Sequence, residues 1–126
     1  MAREYCKYVV LNGVYRADAR DLGLKNTKQP HDVIVISINY RKKTCQVKTI
    51  TSLEEEYKGK MVFQNRKLDK VRNGEIIVIP QNDFNTHKLC GVNNKLITIK
   101  ISKLYLSTTG TTFPRRFKQL IINKKR

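Results

Sequence analysis

VIVISINYRKKTCQVKTITS, residues 33–52, contains two runs typical of β-strands on either side of a basic cluster, Arg41-Lys42-Lys43. The first run, residues 33–38, is almost entirely β-branched, which is typical of a strand buried on both faces. In the second run apolar and polar residues alternate, as in a half-buried strand, until Ile50 falls out of phase. The stretch therefore predicts a hairpin with a charged turn, and a bulge or a change of sheet near Thr49.

The rest of the chain also favours β-structure. Strand-forming runs recur at residues 75–80 and 96–106, and polar turns separate them. Residues 14–24 and 113–122 are predicted short helices, and residues 123–126 are expected to fray. The 126 residues are expected to form one domain of the mainly β class. Its predicted form is a small SH3-like or plasmid-toxin-like barrel, or a curled antiparallel sheet, with one or two short helices.

The charge balance is strongly basic. The chain has 26 Lys plus Arg against 10 Asp plus Glu, a formal net charge of +16, and residues 84–126 contain no acid. Such a domain repels itself unless a polyanion or an acidic partner lies nearby. Nucleic acid is the polyanion we expect, because each neutralised phosphate releases condensed counterions. An acidic protein partner is the main alternative, whereas no basic amphipathic helix favours a membrane surface.

Cysteine usage and the amino terminus bear on compartment and cofactors. The three cysteines are widely spaced, odd in number and without a C-x-x-C pair, which argues against a disulfide framework and a zinc site. His31 and His87 lack companions at ligand spacing, and glycines do not cluster, so we expect no metal and no cofactor. Residues 1–12 lack an apolar stretch of signal-peptide length, and no run could cross a bilayer. The sequence predicts a cytoplasmic protein without a membrane partner.

The remaining polar residues are those of metal-independent RNA cleavage. That reaction needs a base for the ribose 2′-OH, a cation for the charged phosphorane and an acid for the leaving oxygen. Thr51 and Ser52 offer hydroxyls at the end of the second strand, and Arg41 offers a cation, so these three are the candidate catalytic residues. The structural alternative stays open, because Thr is a favoured strand residue and Ser52 can cap a turn.

Basic residues near this strand and near the carboxyl terminus are the candidate phosphate contacts. Phe113 and Phe117 would share one face of a helix, which places the intervening cations toward solvent or a phosphate backbone. The predicted nucleic-acid-binding residues are Lys42, Lys43, Lys48, Arg115, Arg116 and Lys118.

Residues 32–52, with residues 74–80 as a later strand, resemble the small-barrel toxin endoribonucleases of the MazF/PemK and ToxN-like groups. In those families a returning strand ends in a Pro-Leu/Ile-Thr-Ser type motif, and the barrel binds single-stranded RNA. The resemblance implies that Thr51 and Ser52 correspond to the motif hydroxyls. Thr49 stands where the motif has proline, and the early Arg-Pro of MazF-like chains is missing.

Three functional hypotheses follow. The first is a barrel that binds single-stranded RNA and cleaves it without metal. The second is a non-catalytic DNA- or RNA-binding module of a mobile element or phage. The third is a basic interaction protein that docks on an acidic partner, such as an antitoxin or inhibitor. Whether the chain forms a homodimer is left open.

Overall fold

The computed structural model of the protein describes residues 4–25, 27–79 and 88–106. These residues form a mainly β structure with one short α-helix and two 3-10 turns. The strands are β1 Val14–Ala17, β2 His31–Asn39, β3 Thr44–Ser52, β4 Glu54–Tyr57, β5 Lys60–Phe63, β6 Ile76–Ile79, β7 Cys90–Asn93, β8 Ile97–Lys100 and β9 Tyr105–Leu106. The helix α1 is Leu68–Arg72, and the 3-10 turns are Asn65–Lys67 and Ile101–Lys103.

The main sheet is antiparallel and open. Its strand order is β6-β7-β3-β2-β1-β9, with β8 also paired to β3, while β4 and β5 form a separate hairpin. The order ends at β6 and β9, which do not pair with each other in the described part of the chain. The predicted mainly β class is confirmed, and the structure is compatible with the curled antiparallel sheet rather than with a closed barrel.

Strand β3 organises the sheet because it pairs with three other strands. One edge pairs with β2, whereas the other edge pairs with β8 through residues 44–47 and with β7 through residues 50–52. The predicted irregularity near Thr49 is therefore present as a change of partner. A β-bulge lies in β2, where the register shifts between Val35 and Ser37.

The central strands separate two apolar clusters. Ile34, Ile36 and Ile50 pack in one cluster with residues of β6 and β7. Val33, Val35, Cys45, Val47 and Ile99 pack in the other. Successive side chains of a strand point to opposite faces, so a continuous β-branched run is buried only where both faces are covered. Ile50 falls out of phase with Cys45 and Val47 because it packs in the cluster on the other face.

Residues 14–24 do not form the predicted helix. Val14–Ala17 is strand β1, which pairs with β2 on one edge and with β9 on the other, and a turn follows it. Pairing on both edges and burial of Val14 and Ala17 outweigh the local helix preference. The helix predicted at residues 113–122 lies outside the described residues. In the described segments no helix is long and apolar enough to span a membrane.

Candidate nucleic-acid interface

The basic turn between β2 and β3 has a defined backbone. The side-chain Oδ1 of Asn39 accepts a hydrogen bond from the backbone N–H of Lys42 at 3.1 Å. Lys43 adopts the left-handed conformation, with φ of 56°, and so closes the turn. Its carbonyl accepts a hydrogen bond from the backbone N–H of Ile101 at 3.0 Å, which fastens the turn to the segment after β8. The turn therefore presents its cations from a fixed position.

A groove beside this turn collects lysines from three parts of the chain. Lys7 comes from the amino-terminal segment, Lys42 and Lys43 from the turn, and Lys100 from the end of β8. We call it the lysine groove; it has a volume of about 700 Å³, and its other lining residues are Cys6, Tyr40, Ile101 and Ser102. None of its lining residues is acidic, and none of its lysines forms an ion pair within the described residues. Its unpaired positive charge attracts anions.

An exposed aromatic ring forms one wall of the lysine groove. Tyr40 is 65% exposed and lies at the first position of the turn, next to Arg41. Exposed aromatic rings beside cations are the arrangement on which single-stranded nucleic acids stack their bases. The combination in this groove can therefore contact both a phosphate and a base.

Tyr40 and Lys42 also line a second depression beside the turn. We call it the polar pocket; its volume is about 520 Å³. Its other lining residues are Ser37, Ile38, Asn39, Thr44, Cys45, Gln46 and Thr98. The hydroxyl of Ser37 donates a hydrogen bond to Oε1 of Gln46 at 2.9 Å, which orients the amide. The lining thus offers hydroxyl and amide groups rather than an apolar surface.

The opposite end of β3 carries the two predicted hydroxyls. Lys67 Nζ donates hydrogen bonds to Oγ1 of Thr51, at 2.7 Å, and to the carbonyl of Ser52. The Ser52 hydroxyl donates to the carbonyl of Glu54 at 2.7 Å, so it closes the connection to β4. Ser52 therefore has a structural role here, whereas Thr51 is the hydroxyl that contacts an amine.

The environment of Lys67 disfavours its charged form. Burial is the main cause that lowers the pKa of Lys67, and the nearby charges of Arg66 and Lys70 lower it further. A lysine with a lowered pKa is neutral in part at a lower pH than usual, and a neutral amine can accept a proton. The Lys67–Thr51 pair is thus the place in the described residues where the structure joins a predicted hydroxyl to a candidate base.

The structure does not bring the predicted catalytic set together. Thr51 and Ser52 are neighbours, but Arg41 is exposed in the turn at the other end of β3. At about 3.3 Å per residue, the strand separates the turn from Thr51 by about 23 Å. Arg41 is also not among the residues that line the lysine groove or the polar pocket.

The predicted phosphate contacts have different positions. Lys42 and Lys43 lie in the lysine groove. The prediction for Lys48 is corrected, because its side chain is 0% exposed and its Nζ donates a hydrogen bond to Oδ1 of Asn94. A side chain with no exposed surface cannot contact a phosphate. Arg115, Arg116 and Lys118 lie outside the described residues.

Four residues of these sites were missed from the sequence: Lys7, Tyr40, Lys67 and Lys100. Tyr40 could have been recognised from the sequence, because it is an aromatic residue directly before the basic cluster. Lys7 and Lys100 had none, because the groove brings together segments that are far apart in the chain. Lys67 likewise meets Thr51 through the fold and not through sequence spacing.

Titratable residues do not gather into a metal site in the described ranges. No group of three or more His, Cys, Asp or Glu side chains lies close enough there to hold an ion. His31 Nδ1 contacts the carbonyl of Gln29 at 2.9 Å.

No protein-family model matches the sequence, and a search of curated proteins found no significant match. The resemblance of residues 32–52 to the toxin endoribonucleases therefore remains a prediction.

Proposed function

We propose that the protein is a cytoplasmic single-stranded RNA-binding protein, with the lysine groove as the binding site. The observation that carries this proposal is the grouping of Lys7, Lys42, Lys43 and Lys100 around the exposed ring of Tyr40. The lysines neutralise backbone phosphates, and the ring stacks on an unpaired base. All three thiols are free, which supports a reducing compartment.

Tyr40 favours a single strand over a duplex. Bases in a duplex are stacked on each other, so an exposed aromatic ring finds a partner mainly where bases are unpaired. An acidic protein partner would use the lysines but would have no particular use for the ring. RNA is chosen over DNA because residues 32–52 resemble the toxin endoribonucleases.

Replacement of the ring tests the proposal. We expect Tyr40→Ala to weaken the binding of a labelled RNA 12-mer by about tenfold, since stacking of one base contributes about 1–3 kcal/mol. Fluorescence anisotropy measures the affinity, with the same sequence as single-stranded DNA and as duplex RNA for comparison. Weaker binding of the duplex is expected from the loss of stacking.

Tyr57 provides the matched control. It is 60% exposed, close to the exposure of Tyr40, but it follows Glu54, Glu55 and Glu56 in the β4–β5 hairpin. Tyr57→Ala should leave RNA affinity unchanged. If Tyr40→Ala and the unmodified protein bind RNA with equal affinity, the proposal is contradicted. It is also contradicted if the unmodified protein binds an acidic protein more tightly than it binds RNA.

Metal-independent cleavage of the bound RNA is a second candidate function. It is favoured by the 2.7 Å contact between Lys67 Nζ and Thr51 Oγ1 and by the lowered pKa of Lys67. A neutral Lys67 could take the proton of a ribose 2′-OH, whose oxygen then attacks the adjacent phosphate. The bond from phosphorus to the 5′-oxygen breaks, and the departing oxygen takes a proton from water. The fraction of neutral amine increases as pH rises through the Lys67 pKa, which lies below its ordinary 10.5.

Cleavage is tested with single-stranded RNA in EDTA. We expect products with 2′,3′-cyclic phosphate ends, a rate that rises with pH, and loss of activity in Lys67→Met. Lys60→Met removes an exposed lysine of β5 that is not among the charges lowering the Lys67 pKa, so it should keep the activity, and so should Arg41→Ala at the far end of β3. RNA that stays intact with the folded protein would eliminate this candidate and leave the binding proposal in place.

A further inference from the structure

We infer that the polar pocket takes one unpaired keto base, a uracil or a guanine, from the bound strand. The inference rests on the proposed function, because the base is delivered by an RNA whose backbone lies in the lysine groove. Tyr40 and Lys42 line both depressions, so a strand held in the groove passes the mouth of the pocket.

The floor of the pocket is a row of polar side chains across three adjacent strands. Gln46 of β3 is paired with Ser37 of β2 on one side and with Thr98 of β8 on the other. Directly paired residues of antiparallel strands project from the same face of the sheet. The next row along the same face, Asn39 and Thr44, is polar as well. This end of the sheet face is therefore a hydrophilic platform.

The opposite face of the same strands is apolar and covered. Cys45, Val47 and Ile99 alternate with the platform residues and are buried in a core cluster. Core packing therefore uses one face of these strands, and the polar row lies on the other face. Thr98 is exposed and Gln46 is half-buried, so an incoming base can reach their polar atoms.

Most of the polar-pocket atoms that are available to bond a base are hydrogen-bond donors. Oε1 of Gln46 accepts from Ser37, and its Nε2 makes no hydrogen bond within the described residues, so two N–H groups are available. Lys42 adds an ammonium, which donates and cannot accept. The hydroxyls of Thr44 and Thr98 can either donate or accept a hydrogen bond. Such a pocket favours a base that presents a carbonyl oxygen.

Donor-rich surroundings separate the four bases into two classes. Uracil and guanine carry an exocyclic carbonyl, O4 or O6, where cytosine and adenine carry an amino group, N4 or N6. An amino group would set donor against donor at Gln46 Nε2 and Lys42 Nζ. We therefore expect binding of the keto bases to be about tenfold tighter, the size of effect that one well-placed hydrogen-bonded pair produces.

The test uses RNA octamers made of abasic sugar–phosphate units that carry one central base. Four octamers with U, G, A or C differ only in that base, and a fifth with no base reports phosphate binding alone. The unmodified protein should prefer U and G. Gln46→Glu replaces the amide donor by an acceptor of the same shape and should abolish or reverse that preference. Gln29→Glu, the same charge change at an exposed position, should keep it.

Each outcome separates the two proposals. If the four octamers bind equally and the abasic octamer still binds in a salt-dependent way, the base inference is overturned and the proposed function stands. If Gln46→Glu weakens all four octamers by the same factor, only its charge matters and the inference is overturned as well. If no octamer binds, the proposed function fails and the inference fails with it. Gln46→Met, which removes the amide donor without adding a charge, gives a second test should Gln46→Glu not fold; an unchanged preference there contradicts the inference.

Discussion

Lys48 shows at the scale of one residue how a sequence pattern can mislead. In β3 it follows Val47, and simple alternation places it on the solvent face. The structure buries it completely, because the face on which it lies carries the Ile34–Ile50 cluster. Its Nζ then donates a hydrogen bond to Asn94 Oδ1, since a buried polar group is costly unless it is hydrogen-bonded. Sequence alternation cannot reveal that a strand has a core on both faces.

The burial of Lys48 leads to a prediction about stability. Lys48→Ala removes a fully buried side chain and the donor to Asn94, so we expect the free energy of unfolding to fall by about 2–4 kcal/mol. Chemical denaturation followed by circular dichroism measures the change. Lys100→Ala, at an exposed position, should change stability by less than about 0.5 kcal/mol. An unfolding midpoint for Lys48→Ala equal to that of the unmodified protein would show that the side chain is not buried.

The same two variants separate structural lysines from binding lysines. The folded fraction of Lys48→Ala should bind RNA as tightly as the unmodified protein, whereas Lys100→Ala should bind more weakly. The opposite ranking would restore Lys48 as a phosphate contact.

At the scale of elements, the β2–β3 hairpin was predictable from residues 33–52. A β-branched run, a basic turn and a returning strand are local features, and Ile50 marked the change of partner in β3. Strand β1 was not predictable in the same way, because its four residues carry too little pattern and depend on pairing with β2 and β9. Short elements take their structure from their neighbours.

In the candidate site too, local features were predictable from the sequence and contacts between distant segments were not. Lys42 and Lys43 were identified because charge in a turn is visible in the sequence. The fold adds Lys7 and Lys100 from distant segments, and the contact from the Lys43 carbonyl to Ile101 aligns them. Thr51 was identified through its resemblance to a motif, but its partner Lys67 comes from the 3-10 turn before α1. Contacts that close long loops have no local signature.

At the scale of the molecule, the net charge of +16 predicts attraction to polyanions without saying where they bind. The fold concentrates part of that charge in one acid-free groove and leaves other lysines beside acids. Lys58 lies in the turn of the β4–β5 hairpin and Lys60 begins β5, next to Glu54–Tyr57. A general charge effect would not distinguish these lysines from Lys42 and Lys43, whereas a binding site would.

The salt dependence of RNA affinity makes that distinction, and two matched variants are available. Lys43 and Lys58 both adopt left-handed backbone conformations, with φ of 56° and 51°, so glycine removes either charge without disturbing its turn. The groove variant is Lys42→Ala with Lys43→Gly. The control is Lys60→Ala with Lys58→Gly, and both variants lose two positive charges.

The slope of log affinity against log salt for a single-stranded RNA is the most direct measurement of the central claim. Each phosphate contact on a single strand contributes about 0.7 to the slope, so the groove variant should lose about 1.4 and the hairpin control should lose little. Equal slopes for the two variants would mean that net charge alone attracts the RNA, and would contradict the lysine groove as the binding site.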